Sequence, residues 1–195
     1  MIQKIENAMM TAFDHTLRKY SQILNNYYPA HNSTGFTERN LTNNFASGLE
    51  HALGQDAFAW YEAPLDAEAR LHLDAIVFDP STKSCFLIEA KRFTNPKKKI
   101  ADTIHDVQRM SHQAHHVTLE LGLSKLKIEH RYAVVLADVW TENESKLEVF
   151  SSWPKCLQDS SFDKLARKAG FEDLEVEKDW KHRYKIMMAA KKLNQ

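Results

Sequence analysis

Three charged side chains sit where the chain should be most apolar. Asp74 lies inside the run 71–79, and Glu89-Ala90-Lys91 closes a second run that begins at Cys85. An acid or an ammonium inside such a run costs stability unless something uses it. Two carboxylates and an amine brought to one spot can hold a divalent cation beside a phosphate. Hard oxygen donors of this type suit magnesium, with manganese as a substitute.

The elements that must position these groups can be read from pattern. Residues 71–79 and 85–90 have the composition of strands, and Pro80-Ser81-Thr82-Lys83 has turn chemistry. A symmetric hairpin sets Asp79 opposite Ser84 and, counting back, Asp74 opposite Glu89. Directly opposed residues have Cβ atoms about 5 Å apart. Side chains alternate along a strand, so Lys91 shares the face of Glu89, and His72 that of Asp74. His72 is expected to be packed and neutral, with contact to substrate the alternative. The segments Ala75-Ile76-Val77-Phe78 and Cys85-Phe86-Leu87-Ile88 are apolar at every position, which predicts burial on both faces. The plainer alternative is a hairpin with an exposed polar face carrying surface ion pairs. Glu-x-Lys alone carries little information, since Glu144-Ser145-Lys146 is a second copy in a stretch that reads as a loop.

A third acid precedes the hairpin. Residues 37–53 predict a helix, with Thr37 as N-cap and Gly54 as its stop. The apolar stripe is Leu41, Phe45, Leu49 and Ala52, and Glu38 falls in its middle, whereas Glu50 lies well off it. Glu38 therefore points toward the core and the acid pair, or else serves as a first-turn acid complementing the helix dipole.

Asp74, followed by Glu89-Ala90-Lys91 at a strand end and preceded by a helical acid, resembles the PD-(D/E)XK nuclease superfamily. That group includes restriction endonucleases, junction resolvases and repair exonucleases. The resemblance covers roughly 37–140 and implies a restriction-endonuclease-like αβββαβ core in an α/β fold. Its expected parts are helix 37–53, strands 58–64, 71–79 and 85–90, helix 100–121 and strand 132–139, forming a mixed sheet flanked by helices. Leu73 stands where many members have proline. The resemblance implies that Asp74, Glu89 and the Ala90 carbonyl bind Mg²⁺, that Glu38 assists directly or through water, and that Lys91 activates the attacking water. It also implies phosphodiester hydrolysis in nucleic acid, with DNA the expected substrate, in restriction, repair or defence. The alternative is a catalytically inactive member of the fold that binds nucleic acid or protein.

The helix after the hairpin carries Ile100, Ile104, Val107 and Ala114 as its expected buried stripe; the resemblance implies that Gln108, at its edge, is a candidate phosphate contact, a solvent-facing glutamine being the alternative. His112, His115 and His116 have spacings that could bind zinc, although polar-face histidines are the ordinary outcome. Lys and Arg together number 26, as do Asp and Glu, so duplex affinity by global charge is not expected. Basic charge is local: Arg92 and Lys97-Lys98-Lys99 follow the candidate site and could grip phosphates. A second tract, 181–192, interleaves Trp180, His182 and Tyr184, which suit either base stacking or a C-terminal strand 184–190 buried on one face. A protein partner supplying DNA affinity fits the neutral total.

At 195 residues the chain reads as one domain: an N-terminal helix (1–30), the core, and accessory elements (141–195). The N-terminal stripe suits core packing or, alternatively, a homodimer contact. Residues 146–151 read as an edge strand, and 160–170 as a short helix capped by Ser160 or Ser161. No segment has the apolar length of a membrane helix, and no signal-peptide core follows the early acids. Cys85 and Cys156 form no disulfide pattern, so a cytoplasmic location is expected. Five glycines leave no phosphate-binding glycine loop.

Overall fold

The computed structural model describes residues 2–26, 37–66, 71–112, 126–140, 144–171 and 184–193. Its centre is a mixed six-stranded sheet in the order β1-β2-β3-β4-β6-β5. The strands are β1 (Phe58–Asp66), β2 (Leu71–Asp79), β3 (Ser84–Arg92), β4 (His130–Trp140), β5 (Ala166–Gly170) and β6 (Tyr184–Lys192). The helices are α1 (Ile2–Asn26), α2 (Glu38–Leu53), α3 (Pro96–Ser111) and α4 (Glu144–Ser152). Strands β1, β2 and β3 form an antiparallel meander, and β4 lies parallel to β3. A parallel neighbour requires a crossover, which carries α3. Among the described residues, no helix is long and apolar enough to cross a membrane.

Local chemistry accounts for the element ends. Asp79 pairs with Ser84 as the hairpin count predicts. The turn is locked by the Asp79 carboxylate, which accepts from Ser81 N–H and Oγ and from Thr82 Oγ1. Thr37 caps α2 by accepting from Asn40 N–H, and Gly54 ends it at φ +120°, a conformation costly for any residue with a Cβ. Helix α3 begins at Pro96, not near residue 100, because Asn95 caps it and proline is preorganised for the first helical position. Residues 144–152 are helical rather than an edge strand. Residues 160–164 form a 3₁₀ turn capped by Asp159, and 166–170 leave it to pair with β6.

Two apolar layers cover the sheet. One joins α1 and α2 to the face carrying Val77, Phe86, Ile88 and Val134; the other joins α3 and α4 to the face carrying Ile76, Leu87, Val135 and Met187. Covering both faces explains why β3 is buried continuously from Ser84 to Ala90. Strand β6 is likewise buried from Tyr184 to Ala190, not on one face alone. The α1 stripe Ile5, Met9, Phe13 and Tyr20 is wholly inside the chain's own core. The buried stripe of α3 is Thr103, Asp106, Val107 and Met110: Val107 is buried as expected and Ile100 packs partly buried against the same core, but Ile104 is only half-buried, and Asp106 brings an acid inward. Ala114 lies outside the described residues.

Helices α1 and α2 cross closely at Gly48, where an added Cβ would come within 2.9 Å of His15 Cβ and 3.1 Å of Ala12 Cα. Overpacking of this kind costs about 1–3 kcal/mol. Gly48→Ala should therefore lower the urea midpoint by a corresponding amount with the helical content retained. An unchanged midpoint would contradict this packing.

Candidate active site

Regular pairing fails around Asp74, and the β1–β2 register shifts once more between Pro64 and Asp66. Strand β2 pairs with β3 only as far as Ala75↔Ile88. On its other side the ladder passes from Tyr61↔Ala75 to Ala63↔Leu73, leaving Glu62 and Asp74 out of the pairing. Glu62 has φ +51°, a left-handed conformation that costs a non-glycine residue on the order of 1–3 kcal/mol and concentrates at functional sites. Ile76 and Phe78 belong to one core layer and Ala75 and Val77 to the other, yet Leu73 joins the layer of Ile76. The alternation breaks at Asp74, and its carboxylate turns into the gap between β2 and β3. There Oδ2 accepts from Ala90 N–H at 2.7 Å. Farther along β3, Arg92 N–H donates to Glu38 Oε1 at 2.6 Å. Two acids from separate elements thus complete the hydrogen bonding of β3 where β2 has left it.

Behind Asp74 stands a buried web of ion pairs. Glu89 is 3% exposed. Lys91 Nζ lies 3.3 Å from Glu89 Oε2 and 2.8 Å from Asp106 Oδ2. Arg109 Nη2 lies 3.2 Å from Glu89 Oε1 and 2.5 Å from Asp106 Oδ1. Three carboxylates, counting Asp74, therefore face two cations. Burial pushes the Glu89 carboxyl up to about 8; Lys91 opposes the shift, and the charges of Asp74 and Asp106 add to it. Burial likewise raises Asp74, against the Ala90 N–H and Lys91. Burial alone would lower Lys91, but Glu89 and Asp106 outweigh it and hold its ammonium above the usual lysine value.

An open cleft of about 680 Å³ reaches Asp74. Helix α2 lines it with Glu38, Thr42, Asn43 and Ser47, and the strands line it with Tyr61, Glu62 and Asp74. Glu89 and Lys91 are not among the lining residues, so the expected trio is divided between the cleft wall and the web behind it. Among the described residues, no three His, Cys, Asp or Glu side chains converge into a ready-made metal cage. Magnesium does not require one, because it keeps several waters and takes one or two carboxylates. Asp74 commits Oδ2 to Ala90 and leaves Oδ1 open, and it stands close enough to Glu89 to raise its pKa. The donor chemistry fits a small dication held by Asp74, Glu89 and the Ala90 carbonyl, with Glu38 as a neighbour.

Other expected contacts lie elsewhere. The Arg92 guanidinium is committed inward: Nε is 3.6 Å from Asp138 Oδ1, and Asp138 is 1% exposed, so Arg92 does not face a phosphate. Tyr184 is buried and donates its hydroxyl to Asp138, which rules out base stacking. Lys99 approaches Glu38 at 3.9 Å, while Lys97 and Lys98 are exposed at the start of α3. Lys97 borders a separate groove shared with Ser145 and Lys146. Gln108 is exposed and lines neither space. Glu50 accepts from Ala59 N–H at 2.8 Å and ties α2 to β1, away from the cleft. His72 is exposed, with Nδ1 3.1 Å from the Glu62 carbonyl, and is not packed. His112 ends α3, exposed; His115, His116, Trp180 and His182 lie outside the described residues. Pattern reading missed Asp106 and Arg109, whose only signal was an acid beside the inward Val107 and an i,i+3 cation to hold it.

A carboxyl with a folded pKa of about 8 against an ordinary 4.5 binds more protons folded than unfolded between those values. Stability then falls as pH rises through that window. In chelator-treated protein, Tm should drop from pH 5 to pH 8, and Glu89→Gln should remove part of the drop. An equally steep profile in Glu89→Gln would contradict the buried charge. No family model, curated protein or solved structure matches the chain, so its function is read from these side chains alone.

Proposed function

We propose that the chain is a Mg²⁺-dependent nuclease with a restriction-endonuclease-like core, hydrolysing phosphodiester bonds of nucleic acid, with DNA the expected substrate. The observation that carries this reading is the break at Asp74, which opens one acid to a cleft directly in front of a buried ion-pair web containing Glu89 and Lys91. The αβββαβ order, with β4 parallel to β3, supports it. The neutral overall charge fits a partner that adds DNA affinity.

Each residue then has a physical task. Asp74, Glu89 and the Ala90 carbonyl would hold the ion, which lowers the pKa of its water and screens the phosphate. Asp106 already holds Lys91 Nζ more closely than Glu89 does, so it can keep the ammonium in place when Glu89 turns to another cation. Arg109 anchors both acids from α3. Lys91 keeps a fixed positive charge near the position of a phosphate oxygen, where a preorganised donor in a dry site is worth several kcal/mol. Glu38 fixes the end of β3 through Arg92 N–H.

A second reading rests on the same bonds. Asp74 and Glu38 cap backbone N–H groups, and Glu89 and Lys91 are already ion-paired, which is also what a binding module without catalysis would need for stability. Amide variants separate the two, because Asn and Gln still accept the backbone hydrogen bond but lose the charge. With Mg²⁺ or Mn²⁺ and a panel of single- and double-stranded DNA and RNA, the parent should cleave. Asp74→Asn, Glu89→Gln and Lys91→Met should each lose about 10²-fold or more while remaining folded by circular dichroism. Undiminished cleavage by Asp74→Asn, or an inert parent across the panel, would favour the binding module.

A further inference from the structure

The cleft has a second wall that the chemistry at Asp74 does not use. Asn43 and Ser47 lie one turn apart on α2, so they share a face; both are exposed, and neither side chain has a hydrogen-bond partner among the described residues. Each offers both a donor and an acceptor. Across from them Tyr61 projects from edge strand β1, 39% exposed, and it is the large ring that lines this cleft. Among their neighbours, Thr42 donates to the Glu38 carbonyl at 3.1 Å, and Arg39 forms an exposed ion pair with Glu62 at 3.2 Å. The space, about 680 Å³, falls within the size range of small-ligand sites and suits one or two nucleotides.

We propose that this wall is a pocket for an unpaired nucleobase of a single-stranded nucleic acid, stacked on Tyr61 and hydrogen-bonded through its edge by Asn43 and Ser47. An aromatic face with neutral donors and acceptors is the chemistry that reads splayed bases, since every base has a π-face and a polar edge. A base in a duplex shows only its edge and cannot stack on a side chain until it leaves the helix. The pocket thus selects strand form at the place where Asp74 would act, and it rests on the nuclease reading for the position of the scissile bond.

The test is fluorescence anisotropy with a labelled 12-nucleotide DNA of mixed sequence, in Ca²⁺. The strand is compared with its annealed duplex and with a strand bearing abasic positions. The single strand should bind roughly tenfold or more tightly than the duplex; Tyr61→Ala should weaken it by roughly tenfold, Tyr61→Phe should hold it, and Asn43→Ala should weaken it several-fold. The abasic strand should bind weakly and be indifferent to Tyr61→Ala. Equal binding of strand and duplex, or an unchanged constant in Tyr61→Ala, would overturn the pocket. These outcomes are separable from cleavage. A parent that cuts DNA but ignores Tyr61→Ala sinks the pocket alone. One that binds strands through Tyr61 without cutting them upholds the pocket and sinks the nuclease.

Discussion

Beyond Ala75↔Ile88, the hydrogen bonds that β2 would have given β3 come from carboxylates: Asp74 to Ala90 N–H and Glu38 to Arg92 N–H. An unsatisfied buried N–H costs about 1–3 kcal/mol, so a strand does not lose its partner unless something replaces it. The replacement is made by acids on two different elements, which ties α2 to the end of β3 beside the cleft that α2 lines with β1 and β2. The left-handed Glu62 on β1 belongs to the same distortion. Backbone strain, a truncated ladder and an acid at a cleft mouth thus meet at one position.

That distortion is costly in charge as well as geometry. Asp74, Glu89 and Asp106 place one more carboxyl group in a half-dry space than Lys91 and Arg109 can pair, and burial first, with the charges of Asp74 and Asp106 adding to it, pushes the Glu89 carboxyl up to about 8. A fold selected for stability alone would resolve it with one more cation or one fewer acid. The surplus is what a divalent ion, bound from the cleft side, would neutralise. Ion pairing by Lys91 and Arg109 keeps the acids oriented without satisfying them fully. In this account the ion-pair web prepares the site and does not occupy it.

Much of this was legible in the sequence, for reasons particular to each element. The hairpin register followed from a turn whose chemistry leaves a symmetric count, and the ends of α2 followed from Thr37 and Gly54. Both signals are local. The continuous apolar runs correctly implied a sheet covered on both faces. Alternation predicted that Asp74 would share a face with Glu89, but a break at Glu62 and Asp74 depends on how three strands fit together. Residues 146–151 alternate like a strand, yet only Val149 of the three apolar residues Leu147, Val149 and Phe150 is fully buried, in a short helix. Residues 166–170 have weak strand character and pair only because β6 lies beside them. Arg92 reads as a phosphate ligand by type and becomes a structural residue because Asp138, 46 positions later, is the parallel-strand partner facing it. Asp106 and Arg109 were hidden for the same reason: an acid and a base on a helix look solvated until the strand carrying Glu89 and Lys91 is placed against them.

The most direct measurement is calorimetric titration of Mn²⁺ into chelator-stripped protein, comparing the parent with Asp74→Asn. The amide keeps the Ala90 hydrogen bond, so the fold is held constant while the charge is removed. The parent should bind the ion, and the variant, equally folded, should lose that binding. Matching affinity and stoichiometry in the two proteins would contradict it.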